Sequence, residues 1–266
     1  MMEHPEDYIG EDGLLYCGKC KTRKQYNPSF NGRVMIVGVP CKCEQERRQK
    51  EEEERKREEE IARIRRMKAT CIHDKGLLDC TFVNDDGSVK QMKIAKWYVD
   101  TWKERKLSND GLLLWGTIGT GKTFFAGCIA NALIEQGESV LMTNFSKILN
   151  TLSGMYSEEK NEFIASLMRY SLLIIDDLGI ERNTEYAKEQ VYNIIDERYK
   201  AKLPLIVTTN LTLDELKDSK ELAYRRIYDR VLSMCVPVSF QGESHRKQEH
   251  VNRTQKVMKE IMNLEE

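Results

Sequence analysis

The sequence has no long apolar run. No stretch approaches the roughly 18 consecutive apolar residues that a membrane-spanning helix needs. The opening residues, MMEHPEDYIGEDG, are acidic and lack the apolar core of a secretory signal. We therefore expect a cytoplasmic protein without a membrane segment. A chain of 266 residues is short for three domains, which favours one main domain with a small accessory segment.

The sequence also has almost no net charge, because 42 basic and 43 acidic residues nearly cancel. This balance hides an uneven distribution. Within residues 1–43, all five acids precede Gly13, and six basic residues follow it: Lys19, Lys21, Arg23, Lys24, Arg33 and Lys42. A total near zero therefore does not exclude a local surface for nucleic acid or for an acidic partner.

Eight cysteines without a secretion signal favour metal ligands or free thiols over disulfides, because cytosolic thiols are kept reduced. Four of them cluster. Cys17 and Cys20 form a CxxC pair, and Cys41 and Cys43 form a CxC pair. Two short chelating turns separated by a small hairpin suit the tetrahedral thiolate set that zinc prefers. We therefore predict a zinc site at these four cysteines.

The chain between the two cysteine pairs predicts turns at Asn27-Pro28 and Asn31-Gly32 and a strand at 34–37. A module of about 45 residues buries little apolar surface, so bound zinc is expected to supply much of its folding free energy. Unrelated free thiols and a redox-active CxxC pair remain as alternatives. The other cysteines are scattered and predicted to be buried or half-buried: Cys71, Cys80, Cys128 and Cys235.

The segment from Glu44 to Thr70 holds much of the charge, since 19 of its 27 residues are charged. It contains no glycine or proline, and opposite charges recur four positions apart, as in Glu51 and Arg55. Hardly any apolar residue precedes Ile61, which argues against a coiled coil. We expect a solvated linker that is helical or partly disordered.

The strongest motif is GTIGTGKT, which fits the phosphate-loop pattern GxxxxGK[ST]. The apolar run 111–115 before it predicts a buried strand, and residues 124–133 after it have helical periodicity. In such a loop, backbone N–H groups surround a phosphate, Lys122 reaches the β- and γ-phosphates, and the Thr123 hydroxyl binds Mg²⁺. The predicted ATP-binding residues are Gly116, Thr117, Ile118, Gly119, Thr120, Gly121, Lys122, Thr123 and Phe124.

A second apolar run, 171–179, ends in two acids and resembles a Walker B strand. Asp176 is predicted to hold the Mg²⁺ shell, and Asp177 lies where a general base would polarise the attacking water. A helix cap is the alternative for these acids. A further strand predicted at 139–144, between the two motifs, favours the RecA-like AAA+ branch of P-loop folds. That fold class is an α/β core with a parallel sheet flanked by helices.

Two later segments carry candidate catalytic side chains. The strand predicted at 203–210 ends in Asn210, which is placed to reach between the γ-phosphate and the attacking water; a turn or a helix cap is the alternative. Residues 224–231 predict an amphipathic helix with Arg226 and Arg230 spaced four apart. One such arginine can be offered to the γ-phosphate of a neighbouring subunit.

Five segments, in this order and spacing, resemble the AAA+ proteins of the DnaC/DnaI helicase-loader and IstB transposition-helper group: LLLWGTIGTGKT, LLIIDDLG, PLIVTTNL, YRRIYDRV and QGESHRK. The likeness covers about residues 71–250. It implies an AAA+ ATPase domain at 71–266, after a zinc-binding module at 1–43 and a charged helical linker at 44–70. The cysteine-rich start followed by a charged helix resembles DnaI-type and phage-encoded loaders more than IstB.

The resemblance also implies roles and partners. Arg230 corresponds to the arginine finger and Arg246 to the sensor 2 arginine. Asp177 stands where the wider AAA+ class has Glu, which implies slow, partner-dependent ATP hydrolysis. Only 20 residues follow Arg246, so the lid is reduced or absent. The implied partners are a replicative DNA helicase hexamer of the DnaB type, single-stranded DNA and further copies of the chain in an ATP-dependent assembly.

Two other functions stay open on the sequence alone. One is an IstB-like helper that oligomerises on duplex DNA and engages a transposase. The other is a zinc module that binds DNA directly through phosphate contacts of its basic residues. Candidate contacts for single-stranded DNA are Phe145, Lys147 and Tyr156. The alternative for them is an ordinary place in the core or on the surface.

Overall fold

The computed structural model describes residues 6–30, 33–72, 74–179, 184–218 and 221–262. The chain divides into two compact units, Met1–Arg63 (the amino-terminal unit) and Ile64–Glu266 (the carboxyl-terminal unit). The strands are β1 Tyr8–Ile9, β2 Leu15–Tyr16, β3 Gln25–Tyr26, β4 Ser29–Phe30, β5 Arg33–Val34, β6 Val37–Gly38, β7 Gly111–Gly116, β8 Val140–Asn144, β9 Leu172–Leu178, β10 Leu205–Thr209 and β11 Cys235–Phe240. The helices are α1 Lys42–Cys71, α2 Met92–Asp100, α3 Trp102–Ser108, α4 Lys122–Glu135, α5 Phe145–Ser153, α6 Ser157–Leu167, α7 Glu185–Lys200, α8 Leu213–Lys217, α9 Leu222–Met234 and α10 His245–Met262, with a short 3-10 helix at Lys75–Leu77.

The amino-terminal unit contains three short antiparallel pairs, β1 with β2, β3 with β6, and β4 with β5. The strand predicted at 34–37 is therefore divided: Val34 belongs to β5, which pairs with β4, whereas Val37 belongs to β6, which pairs with β3. The turn predicted at Asn31-Gly32 lies outside the described residues. The buried apolar side chains described in this unit are few: Leu14, Leu15, Cys17 and Cys41. Hydrophobic burial thus contributes little to the stability of this unit.

A buried carboxylate ties the start of this unit to its CxxC turn. The Gly18 N–H donates to Asp7 Oδ1 at 3.1 Å, and Lys24 Nζ pairs with Asp7 Oδ2 at 2.7 Å. Gly18 also packs tightly, since a Cβ there would lie 2.1 Å from the Glu6 carbonyl oxygen. A larger residue would push the turn away from the preceding chain.

The charged segment is helical, as one alternative predicted. α1 is exposed over most of its length, and its carboxylates pair with basic residues along the same helix, for example Glu52 with Lys56 at 2.7 Å. Exposed pairs of this kind contribute little individually. Residues up to Arg63 group with the amino-terminal unit and those from Ile64 with the carboxyl-terminal unit.

The carboxyl-terminal unit is built on a five-stranded parallel sheet in the order β11-β7-β10-β9-β8. Successive side chains of a strand point to opposite faces, so Leu112 and Leu114 join one hydrophobic cluster with α2 and α4, whereas Leu113 joins another with α5, α7 and α9. Burial on both faces explains the unbroken apolar runs of the sequence. The predicted α/β class with helices flanking a parallel sheet is confirmed.

The strand order decides what can meet at the site. β10 lies between β7 and β9, although it follows both in sequence. Because all five strands are parallel, the segments that follow β7, β9 and β10 meet at the edge formed by the carboxyl ends of the strands. Ligand sites of open parallel sheets lie at this edge. Beyond β11, the described chain continues as the single helix α10.

Within the described residues, no helix is both long and apolar enough to cross a membrane.

At the end of the sheet where the strands begin, a fully buried arginine connects the neighbouring segments. The guanidinium of Arg198, on α7, donates to four main-chain carbonyl oxygens, at 2.8 Å in the shortest contacts: Leu167, Tyr170, Ser171 and Pro204. Burial lowers the pKa of Arg198 to about 10, so the side chain is still charged at neutral pH. These contacts join the start of β9 to the start of β10.

Replacing Arg198 with methionine is expected to lower the free energy of unfolding by about 3 kcal/mol, because four buried carbonyl groups lose their donors. Urea unfolding measures the loss. The matched control is Arg169→Met at an exposed position, which should change the free energy by less than about 0.5 kcal/mol. Equal effects of the two variants would contradict the anchoring role.

Candidate functional site

The phosphate loop connects β7 to α4. Gly121 caps α4 with φ 91°, and a Cβ at this position would lie 2.5 Å from Val89 Cγ2. Inside the loop, the buried Thr120 hydroxyl donates to the Thr117 carbonyl at 2.7 Å. The loop therefore holds a fixed curve that presents the first N–H groups of α4 to an anion.

Lys122 lies within this loop. Its side chain is only 5% exposed, and Nζ donates to the carbonyl oxygens of Gly116 and Thr117 at 2.8 Å each. The ammonium group is thus held beside the concave face of the loop. A phosphate bound to the N–H groups of the loop would lie next to it.

Thr123 and Asp176 meet as a magnesium site requires. The Thr123 hydroxyl donates to Asp176 Oδ1 at 3.0 Å. The same carboxylate oxygen accepts a 2.6 Å hydrogen bond from Thr208, on the intervening strand β10. Hard oxygen ligands from a hydroxyl and a carboxylate fit Mg²⁺, so these residues suit the ion predicted for them. Thr208 was missed in the sequence, although a polar TTN end on an apolar strand was a signal for it.

Asp177 has an unusual backbone. Its φ is 58°, in the left-handed region that residues other than glycine seldom adopt. Its N–H donates to the Thr208 hydroxyl at 2.9 Å, and the pairing of β9 with β10 is irregular beside it. The side chain is exposed. An irregularity of this kind redirects a side chain, here away from the core and at the edge where Asp176 lies.

Asn210 follows the last residue of β10. That residue, Thr209, is in register with Trp115 of β7 and Leu178 of β9. Asn210 is half-buried and therefore stands at the same edge as the loop and the two acids. The structure thus brings the predicted loop, acids and asparagine together.

The two predicted arginines lie on the later helices α9 and α10. Arg230 lies on α9, where its Nε pairs with Asp196 Oδ1 of α7 at 3.0 Å. The hydrogen bond from Lys200 and that from Arg230 lower the pKa of Asp196, against the opposing effect of burial. Arg246 belongs to α10, whose first N–H, that of His245, donates to the Gly119 carbonyl at 2.9 Å. The side chain of Arg246 lies outside the described residues.

The three candidate contacts for single-stranded DNA differ in their exposure to solvent. Phe145 is 1% exposed and packs in the core, so the alternative of a core residue holds and Phe145 offers no stacking platform. The cause is the helix cap at Asn144, whose side chain accepts the Lys147 N–H and starts α5 directly after β8. Tyr156 is 83% exposed and Lys147 is exposed, as a nucleic-acid contact requires.

The predicted zinc ligands also come together. The Sγ atoms of Cys17, Cys20, Cys41 and Cys43 all lie within 4.8 Å of one another. Four sulfurs around a tetrahedral zinc at about 2.3 Å are about 3.8 Å apart, so the cluster fits this ion with small adjustments. The four thiolates would hold it, and the ion would cross-link the two turns. The remaining four cysteines are buried, as predicted.

Hydrogen bonds and burial shift the pKa values of these thiols in opposite directions. The hydroxyl of Thr22, 3.0 Å from Cys20 Sγ, and the main chain at Cys43 lower the pKa of Cys20 to about 5. Contact with Cys20 raises the pKa of Cys43 to about 12, and burial raises that of Cys41. The fold therefore stabilises a thiolate at Cys20, which is the form that binds zinc.

The sheet order, the phosphate loop after β7 and the acids at the end of β9 define a P-loop ATP-binding protein of the AAA+ type. Comparison with known families makes this specific: residues 44–253 match the model of the IstB-like ATP binding proteins. The chain belongs to this family.

Curated relatives carry the name of helicase loaders. The replicative helicase loader DnaC of Buchnera aphidicola is 28% identical over 179 residues, which span 64% of this chain and 70% of that protein. The replicative helicase loader DnaI of Bacillus subtilis is 27% identical over 147 residues, 51% of this chain and 47% of that protein. A crystal structure of DnaI, 25% identical, superposes with a TM-score of 0.53 over 66% of this chain and 97% of that one.

Proposed function

We propose that this protein is an ATP-dependent helicase loader, which binds the replicative DNA helicase and delivers it onto single-stranded DNA. The observation that carries the proposal is the complete phosphate and acid site in a chain whose relatives are named replicative helicase loaders. The amino-terminal unit contacts the helicase, and the carboxyl-terminal unit assembles and switches with nucleotide.

The chemistry follows from the placement of the side chains. The N–H groups of the loop and Lys122 bind and orient the phosphates. Thr123 and Asp176 would hold Mg²⁺, which would supply positive charge beside the phosphates. Asp177 accepts the proton of the attacking water, and Asn210 orients that water. Hydrolysis is slow because a single-copy site lacks the arginine that a second copy supplies, and it serves as a switch.

The contact surface for the helicase is proposed at residues 34–37 of the amino-terminal unit, VMIV, which we name the apolar run. Its four side chains are 43–63% exposed, although apolar groups normally avoid water. A contiguous exposed apolar patch marks a protein interaction site. The basic residues of the same unit, such as Arg33 and Lys21, suit a partner surface with an apolar centre and an acidic border.

Replacing Val34 and Ile36 together with serine is expected to weaken binding to the helicase by about tenfold or more, since two exposed aliphatic anchors are lost. Titration calorimetry with a DnaB-type helicase measures the affinity. Zinc content and ATP binding should not change, because the four cysteines and the phosphate loop are left in place.

The matched control for this experiment is Leu107→Ser on α3, a change of an 89% exposed aliphatic residue in the other unit. Its affinity for helicase should equal that of the unchanged protein. If the double variant also bound helicase normally, the apolar run would not be the contact surface.

A further inference from the structure

Arg230 contacts two side chains of the neighbouring helix α7, Asp196 and Tyr199, which we name the grip. Its Nε donates to Asp196 Oδ1 at 3.0 Å, and its guanidinium carbon lies 4.7 Å from the centre of the Tyr199 ring. The Asp196 side chain is 11% exposed and that of Arg230 is 32% exposed. The carboxylate of the ion pair is therefore largely shielded from water, while part of the guanidinium faces solvent.

Within the grip, Asp196 accepts a hydrogen bond from only one of the three guanidinium nitrogens, Nε. Asp196 Oδ2 pairs with Lys200 Nζ at 2.8 Å, so this carboxylate offers Arg230 a single oxygen. Nη1 stands 3.6 Å from Asp229 Oδ2, beyond hydrogen-bonding distance. Among the described residues, none accepts a hydrogen bond from either terminal nitrogen of Arg230. Both terminal nitrogens thus remain for an anion, and Tyr199 fixes the plane in which they lie.

The anion is not the phosphate bound to the same chain. α9 runs into the amino end of β11, and α7 leads to the amino end of β10, so Arg230 and its grip lie toward that edge of the sheet. The phosphate loop stands at the carboxyl edge, beyond a strand that is roughly 20 Å long. With its Nε bound to Asp196, Arg230 points to α7 and not to its own loop.

We propose that Asp196 and Tyr199 are positioning residues, which hold Arg230 ready to contact the γ-phosphate on a second copy of this chain. The inference rests on the proposed ATPase assembly and adds the groups that orient its arginine. An arginine that is already oriented loses little side-chain freedom when the neighbouring copy arrives, which lowers the barrier to the reaction. Its two terminal nitrogens can then bind two phosphate oxygens side by side.

The test compares four full-length variants in the presence of helicase and single-stranded DNA: Arg230→Ala, Asp196→Asn, Tyr199→Leu and Glu197→Gln. Glu197 is the matched control, because it also pairs with Lys200, at 3.1 Å. At saturating ATP, we expect turnover to fall about 100-fold or more for Arg230→Ala and about tenfold for Asp196→Asn. Tyr199→Leu, at a 39% exposed position that tolerates change, should lose several-fold. Glu197→Gln should match the unchanged protein, and the affinity for a fluorescent ATP analogue should be the same for all four.

Mixing the variants separates positioning from a merely structural effect. The partner is a double variant, Asp176→Asn with Asp177→Asn, which cannot hydrolyse ATP but keeps Arg230 and its grip. Adding it to Asp196→Asn should restore turnover several-fold, because the unchanged grip now serves the intact site of its neighbour. Asp196→Glu, which keeps the carboxylate, should retain more turnover than Asp196→Asn.

The outcomes distinguish the two levels of the proposal. If Arg230→Ala kept full turnover, the proposed role of Arg230 would fail. If Arg230→Ala lost turnover while both Asp196→Asn and Tyr199→Leu kept it, only the positioning role would be overturned. A rise in turnover for Asp196→Asn, or no recovery on mixing, would also overturn it.

Discussion

Replacing Lys122 with alanine is expected to abolish measurable ATP turnover, with a loss of at least about 100-fold, and to weaken ATP binding. The side chain is buried against the phosphate loop, where its ammonium donates to the carbonyl oxygens of Gly116 and Thr117. No other lysine lies in the loop sequence, and the arginine proposed to assist comes from a second copy. Phosphate release and binding of a fluorescent ATP analogue measure the two effects.

The control for this prediction is Lys103→Ala, which removes an exposed lysine of α3. Its turnover should equal that of the unchanged protein. The melting temperature of Lys122→Ala should fall by a few degrees, because two carbonyl groups of the loop lose their donor. The glycine-supported curve of the loop stays in place, so the variant should still fold. Turnover at the original rate in a folded Lys122→Ala variant would show that the ATPase site is elsewhere.

Removing zinc is expected to unfold the amino-terminal unit and to leave the carboxyl-terminal unit intact. Few apolar side chains are buried in the amino-terminal unit, whereas a structural zinc site contributes on the order of 10 kcal/mol to folding. Cys41→Ser takes one of the four ligands from the cluster. Elemental analysis should find one zinc per chain in the original protein and a loss in the variant.

Limited proteolysis reads out the consequence of that loss. The amino-terminal unit of Cys41→Ser, or of chelator-treated protein, should become protease-sensitive, while ATP binding by the carboxyl-terminal unit persists. Cys71→Ala is the control, since Cys71 is buried in the other unit and its loss should not change the zinc content. A zinc-free protein with a protease-resistant amino-terminal unit would contradict the account.

The parts of the site that could be predicted are those in which neighbouring residues carry the signal. The strand before Lys122 and the strand before Asp176 are buried on both faces, so each is an unbroken apolar run with polar residues at its end. The cysteine pairs could also be predicted, because each chelating pair of zinc ligands lies close together in the sequence. In all of these, local spacing fixes local geometry.

The parts that could not be predicted depend on how distant segments pack. Thr208 contacts Asp176 only because β10 is inserted between β7 and β9. Asp196 and Arg230 are 34 positions apart and meet through the packing of two helices. Phe145 could not be assigned to the core or to a DNA contact from the sequence, because an exposed and a buried aromatic residue look alike at the start of a helix. The backbone of Asp177 likewise leaves no trace in residue type.

The most direct test of the central claim is the mass of the mixture of this protein with a DnaB-type replicative helicase, measured by native mass spectrometry with and without ATP. The account predicts a complex that contains the helicase hexamer and several copies of this chain, with more copies bound when ATP is present. Cys41→Ser should fail to form it. Separate masses of helicase and zinc-loaded protein, together with ATP-dependent assemblies on duplex DNA alone, would contradict the loader function.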